Sequence, residues 1–231
     1  MAEFLLDRRT GPGQTVTVLP WLATVWHSLD YEAHLQGQWM GVNTVLAVLP
    51  GIGAVILHRW RRRRRLGWWL GVAVVVALLP NAPYVLSDLV HLGPDLRSAP
   101  DRATAVYGVL PLFALLIGTG VLSHSLVLHL LRRELRDRGW SVRRLVAAEG
   151  VVDVACAVGV ALGRIPRLNS WDIVRPFEMA HGLSVVAFEP DFVAAALVAI
   201  VAASVTVDRL ATETVHMLRA RRHRDGTVQR S

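Results

Sequence analysis

Lysine is missing from this chain: all 25 basic side chains are arginine, an arginine-for-lysine bias that reads as the background of a GC-rich genome. Cysteine is almost missing too. Cys156 stands alone, which excludes an intramolecular disulfide, and its place inside an apolar run suits a small packed residue better than a nucleophile. Charge is scarce, with Asp, Glu, Lys and Arg making up 19% of the 231 residues against 53% hydrophobic, where a soluble domain carries more charge and shorter apolar runs. Familiar enzyme signatures are also absent from the sequence: a phosphate-binding glycine loop, His-Glu-x-x-His, a nucleophile elbow, a haem-attachment pair. These gaps point to a membrane class, and no cofactor or metal is expected.

Five apolar stretches are near the roughly 20 residues that a helix needs to cross hydrocarbon: Gly41 to Leu57, Gly67 to Leu86, Thr104 to Leu131, Leu145 to Ile165 and Phe192 to Leu210. The arginines gather beside alternate ends of these stretches. Arg59 and Arg61 to Arg65 follow the first, Arg132, Arg133, Arg136, Arg138, Arg143 and Arg144 the third, and Arg219, Arg221, Arg222 and Arg224 the fifth. The other connections, Ser87 to Arg102 and Pro166 to Asp191, hold fewer bases and several acids. Topogenesis therefore explains a net charge of +7 that would suggest nucleic acid in a soluble protein, and nucleic acid is not an expected partner. By the positive-inside rule the Arg-rich ends and the carboxyl terminus are cytoplasmic.

Residues 1–40 form a separate expectation. Val16 to Leu29 is short for a span, contains Pro20, and carries Trp21 and Trp26, so an interfacial helix is expected there, or a sixth short span if it crosses, an option that Arg8-Arg9 favours. No small-residue cleavage site follows it, so it does not read as a signal peptide. The expected organisation is an N-terminal segment over 1–40, an all-α polytopic transmembrane helix bundle over 41–218, and a basic cytoplasmic tail over 219–231. Ile173 to Asp191, too short in its apolar part to cross, is expected as a hairpin or a helix lying on the outer surface.

Two polar motifs interrupt the apolar pattern, and both fall at the outer side. In the first, Pro80-Asn81-Ala82-Pro83-Tyr84, the prolines remove backbone donors and clash one turn back, so the second span should break there. Asn81 could cap the continuing segment or answer the freed carbonyls. Asp88 and His91 then lie one helical turn apart. That pair could serve as acid and base, contact a substrate, hold a metal with further ligands, or only hydrogen-bond at a helix end. In the second motif, Gly163-Arg164 precedes Asn169-Ser170-Trp171-Asp172. Arg164 can snorkel to lipid phosphates, clamp a carboxylate or phosphate, or form an ion pair with Asp88. Asn169 to Asp172 has turn and cap chemistry, and Trp171 suits the interfacial belt.

Charge at membrane depth is costly and faces a bundle interior or water. Asp153, about two turns into the fourth span, and His124 in the third are the intramembrane polar candidates, either packing groups or proton carriers. Glu149 is near enough to the Arg-rich boundary to reach water. Ala155, Gly159 and Gly163 form a small-xxx-small stripe for close helix packing.

Leu79-Pro80-Asn81-Ala82-Pro83-Tyr84, Asp88, His91, Gly163-Arg164 and Asn169-Ser170-Trp171-Asp172, together with the opening span from Asn43 to Ile56, resemble a bacterial family of multi-pass membrane proteins known only as a domain of unknown function. The resemblance covers roughly Val42 to Pro176. It implies the same fold and topology, in a bacterial plasma membrane, and supplies no reaction. Where the family tends to show Trp-Tyr-Asp early in the third span, this chain has Val106-Tyr107-Gly108, so only Tyr107 carries over.

Three functions fit these residues. One is an outer-face pocket lined by Asn81, Asp88, His91, Arg164, Asn169 and Asp172, walled by Tyr84 and Trp171, that takes a lipid headgroup or other anionic envelope ligand, with Asp88 and His91 as the catalytic candidates. Another is a proton-linked transporter or permease subunit using Asp153 and His124. The last is a non-catalytic assembly subunit whose motifs lock helix ends and whose partner is another membrane protein.

Overall fold

The computed structural model describes residues 18–60 and 66–228, which form helices and short turns with no strand. Arg8-Arg9 and Arg61 to Arg65 lie outside the described residues. Five helices are long and apolar enough to cross a membrane: Pro20–Arg59, Leu66–Ser98, Arg102–Asp137, Val142–Arg164 and Pro190–Thr214. They match the five expected spans, and the chain is an all-α polytopic bundle.

Helix α1 (Val18–Arg59) is continuous. Its 42 residues give a rod about 60 Å long at 1.5 Å per residue, twice the hydrocarbon thickness of about 30 Å. The apolar stretch after Val16 and the opening span are thus one element, without a reversal near residue 40. Pro20 does not interrupt it, because it sits in the first turn, where a missing backbone N–H forfeits no intrahelical bond.

The second span does break. Helix α2 (Leu66–Leu78) ends before Pro80, a single turn α3 (Asn81–Tyr84) and a 3-10 turn (Val85–Asp88) follow, and α4 (Leu89–Ser98) resumes. Asn81 Nδ2 donates to the Leu78 carbonyl at 2.9 Å, one of the acceptors that the break strands. The third span opens with the short turn α5 (Arg102–Thr104) and a π-type turn over Ala105–Val109, then runs as α6 (Leu110–Asp137). The fourth is α7 (Val142–Arg164). A 3-10 turn (Ser170–Val174) and α8 (Pro176–Val186) lead to α9 (Pro190–Val228), which continues through much of the segment expected as a tail. Phe177 in the first turn of α8 and Phe188 just beyond its end are 89% and 85% exposed, as a surface helix would require.

Helix α1 packs along α6 and against α2 and the break, while α7 packs against the break, α6 and α9. Of the apolar window of α7, 39% is buried, against 11% for α9, which makes α7 the central helix and α9 peripheral. Three apolar clusters hold the bundle. Met40, Ala47, Val85, Phe113 and Leu116 join α1, the break and α6. Leu79, Val127, Cys156, Ala157 and Ile200 join the end of α2 to α6, α7 and α9, and Ala161, Leu162 and Val186 join α7 to α8.

Candidate functional site

The site is built where the broken span meets the end of α7. Arg164, the last residue of that helix, reaches across to the 3-10 turn: its Nε donates to Ser87 Oγ at 2.7 Å, its Nη2 pairs with Asp88 Oδ1, and its guanidinium carbon lies 4.7 Å from the centre of the Tyr84 ring. Asp88 is 2% exposed. Its second oxygen accepts from Asn43 Nδ2 on α1 at 3.2 Å, and Ser87 Oγ passes the chain of bonds on to the Tyr84 carbonyl at 2.5 Å. One guanidinium and one carboxylate thereby tie three spans together, with the carboxylate desolvated and paired as a buried charge must be.

Close approach is what lets Arg164 reach. A Cβ at Gly159 would stand 2.5 Å from Pro80, and one at Gly163 would stand 2.9 Å from Tyr84, so the small-residue stripe of α7 is the seat of the break. Beyond Arg164 the chain turns sharply. Pro166 cannot donate, Leu168 N–H closes back on the Leu162 carbonyl at 3.0 Å, and Arg167 takes a left-handed backbone (φ 59°), the only non-glycine to do so among the described residues.

A cavity of about 890 Å³ opens beside this fastener. Its polar lining is Asn43, Asn81, Tyr84, His91, Arg164, Arg167, Asn169 and Trp171, and the apolar remainder includes Leu46, Val76, Val158, Leu162, Ile173, Met179 and Leu183. Six of the eight pocket residues expected from sequence therefore share one cavity: Asn81, Tyr84, His91, Arg164, Asn169 and Trp171. Asp88 lies behind the wall, held by Arg164. Asp172 is buried in a different role: it accepts from Asn169 N–H at 2.7 Å in a reciprocal capping box and pairs with Arg175 at 3.3 Å. Asp88 and His91 are one turn apart but not bonded to each other; the His91 ring instead meets Trp39 edge-on at 5.8 Å.

Asn43, Ser87 and Arg167 join the site without having been singled out in the sequence. Asn43 had a signal, a lone amide near the start of an apolar span. Ser87 and Arg167 had none beyond their closeness to the motifs.

His124 and Asp153 meet each other. Nε2 and Oδ1 are 3.0 Å apart between α6 and α7, both side chains are at least nine-tenths buried, and neither lines the cavity. Nearer the Arg-rich end, Arg132 bonds both Glu149 and, at 2.6 Å, Asp208, so Glu149 is bonded within the bundle and α6, α7 and α9 are clasped together. Tyr107 stands apart from the cavity lining, its ring edge-on to Trp21 at 6.3 Å. At Gly108 a Cβ would lie 2.6 Å from the Ser28 carbonyl and 2.8 Å from Glu32, so an acid in the third place of that triplet has no room here.

Helices of spanning length, a Pro-broken span and an arginine-bearing cavity at the break define an integral multi-pass membrane protein with a polar niche at one end of its bundle. The family is identifiable: residues 42–206 match a family described as a protein of unknown function, DUF1361, and the chain belongs to it. No curated protein and no solved structure matches the chain.

Proposed function

We propose that the cavity recognises an anionic headgroup, of a lipid or another envelope ligand, at the outer face of a bacterial plasma membrane. The supporting observation is the charge of the lining: Arg164, Arg167 and His91 face the cavity, and no Asp or Glu does. Asp88 offsets Arg164 from behind, so Arg167 supplies the net positive charge. Its exposed guanidinium offers a bidentate fork to a phosphate or carboxylate, and Arg164 adds donors whose geometry Ser87 and Asp88 fix. With Asp88 committed to Arg164 and not bonded to His91, the arrangement favours binding over acid-base chemistry. The arginines at the opposite end of the bundle support the outer location, since by the positive-inside rule that end and the carboxyl terminus are expected on the cytoplasmic side.

The test is thermal unfolding of the purified chain in neutral detergent, titrated with an anionic or a zwitterionic phospholipid of the same acyl chains. Ligand at a hundredfold its Kd stabilises by about 2.7 kcal/mol, a rise of roughly 5–10 °C for a domain of this size. The anionic lipid should give that rise and the zwitterionic lipid much less. Arg167→Gly separates charge from stability: it relieves the left-handed backbone, worth about 1 kcal/mol, so the unliganded chain should melt higher while the lipid response shrinks. Equal responses to both lipids would sink the headgroup reading.

The bond between Arg164 and the turn at Ser87 and Asp88 also supports the assembly-subunit reading, in which the motifs fasten helix ends and a partner supplies the activity. An Arg167→Gln variant whose thermal response to the anionic lipid equals that of the unchanged chain would favour that reading. The transporter reading has less support. His124 and Asp153 do not line the cavity, and buried Cys156 and Ala157 lie about one turn from Asp153 on the cavity side of α7.

A further inference from the structure

The two long walls of the cavity differ in what they touch. Helix α2 packs along α1 and meets the chain beyond α7 at the 170–174 turn, whereas α7 is held by the break, α8 and α9. None of the thirteen residues of α2 is buried. Val76 on α2, Val158 on α7 and Leu183 on α8 therefore line a gap between helices and not a sealed core. That gap runs from the basic rim at Arg164 and Arg167 along the last turns of α7, back to Ala155, and the last turn of α2, at Val76 to Leu78.

We propose that this gap is a lateral port, and that the occupant is an anionic phospholipid of the surrounding bilayer, bound by its phosphate at Arg167 and Arg164 with an acyl chain between α2 and α7. The inference rests on the headgroup reading and specifies the source of the headgroup. Three observations carry it. First, the volume is far too large for an anion alone: a water takes about 30 Å³, so a free phosphate would leave most of the 890 Å³ as water against Val, Leu and Met side chains. A hydrocarbon chain fills that volume without the cost of wetting it. Second, the polar groups sit at one end of an otherwise apolar lining, the polarity of an amphiphile lying along the bilayer normal. Third, α8, with Leu183 in the cavity wall and Phe177 and Phe188 exposed beside it, is placed as an interfacial helix beside the port.

The experiment uses the full chain in neutral detergent, with three probes: a long-chain phosphatidylglycerol, the matching phosphatidylcholine, and water-soluble glycerol phosphate. Binding is read by native mass spectrometry and by the shift in Tm. Phosphatidylglycerol should bind at one site at least tenfold tighter than phosphatidylcholine, and millimolar glycerol phosphate should neither bind nor displace it. Ala155→Phe, which projects a ring into the port away from the arginines, should weaken phosphatidylglycerol about tenfold. Leu183→Trp, at the surface of α8 where folding is not at risk, should weaken it in the same direction.

Displacement of the lipid by glycerol phosphate overturns the lateral port and leaves the anion reading standing. Equal binding of the two lipids, weakened alike by Ala155→Phe, overturns the headgroup reading. Binding of phosphatidylglycerol that neither port variant weakens places the lipid elsewhere on the bundle and overturns the proposal, as does failure of all three probes to bind.

Discussion

At the scale of single residues, the pair of Arg164 and Asp88 decides how the break is held, and its two members are not equally replaceable. The Asp88 side chain is 3% exposed and that of Arg164 is 22% exposed, on the cavity side. Removing one partner of a buried ion pair costs about 3–5 kcal/mol because the other charge is left uncompensated. Asp88→Leu should fall below that range, since Arg164 can turn its guanidinium into the cavity. Arg164→Met strands a carboxylate that must protonate or draw in water, so it should cost more than Asp88→Leu. Replacing both should cost less than the sum, with a coupling on the order of 2 kcal/mol. Thermal unfolding of the two single variants and the double variant in detergent measures it, and strict additivity would mean that the pair contributes nothing to the fold. Arg164→Lys is not conservative here, because a lysine cannot bond Ser87 and Asp88 at once in the plane that lies over Tyr84.

Among the elements, the places where sequence and structure part are instructive. The break after Leu78 was legible because Pro80 and Pro83 cannot complete a helix whatever surrounds them, and the five spans were legible because length and hydropathy answer to the bilayer alone. The continuity of α1 was not. Pro20 is disruptive inside a helix and harmless in its first turn, and the start of a helix in an apolar stretch leaves little mark. The cavity was half legible: motif order placed Arg164 beside the break, but whether Asp88 faced the cavity or lay behind it depended on Asn43 in another span, a contact across 45 residues. Likewise His124 and Asp153 were each visible as polar groups at membrane depth, while their meeting depended on how α6 rotates against α7.

The start of the third span offers a pH test at this scale. Asp101 caps α5, accepting Thr104 N–H at 2.8 Å, and that bond holds its carboxyl below the ordinary carboxylate range. A depressed folded-state pKa gives stability that is complete above the unfolded value near 4 and is lost as pH falls through the lower folded value. Amide exchange at Thr104, followed from pH 6 downward after correction for the intrinsic rate, should therefore show protection falling in acid. In Asp101→Asn, whose amide still caps but does not titrate, protection should hold level. Parallel acid profiles in both chains would show that the cap does not control this turn.

For the whole molecule, the decisive quantity is sidedness, because every statement about an outer pocket depends on it. The arginines give a direction: Arg59, the Arg132 to Arg144 cluster and the end of α9 share one end of the bundle, and the cavity lies at the other. With short connections and charges of one sign near the span ends, topogenesis should retain that end in the cytoplasm. The single native thiol makes the test direct. Cys156 is buried among apolar neighbours, out of reach of polar reagents, and Cys156→Ser removes the native thiol altogether. In that background, Ser98→Cys reports the end of α4 on the cavity side, and Ser141→Cys reports the turn before α7. In intact cells an impermeant maleimide should label the cysteine at 98 and spare the one at 141, which should react only after the membrane is opened. The reverse pattern would turn the bundle over. The cavity would then face the cytoplasm, the positive-inside assignment would be wrong for all five spans together, and the ligand would have to come from the inner leaflet.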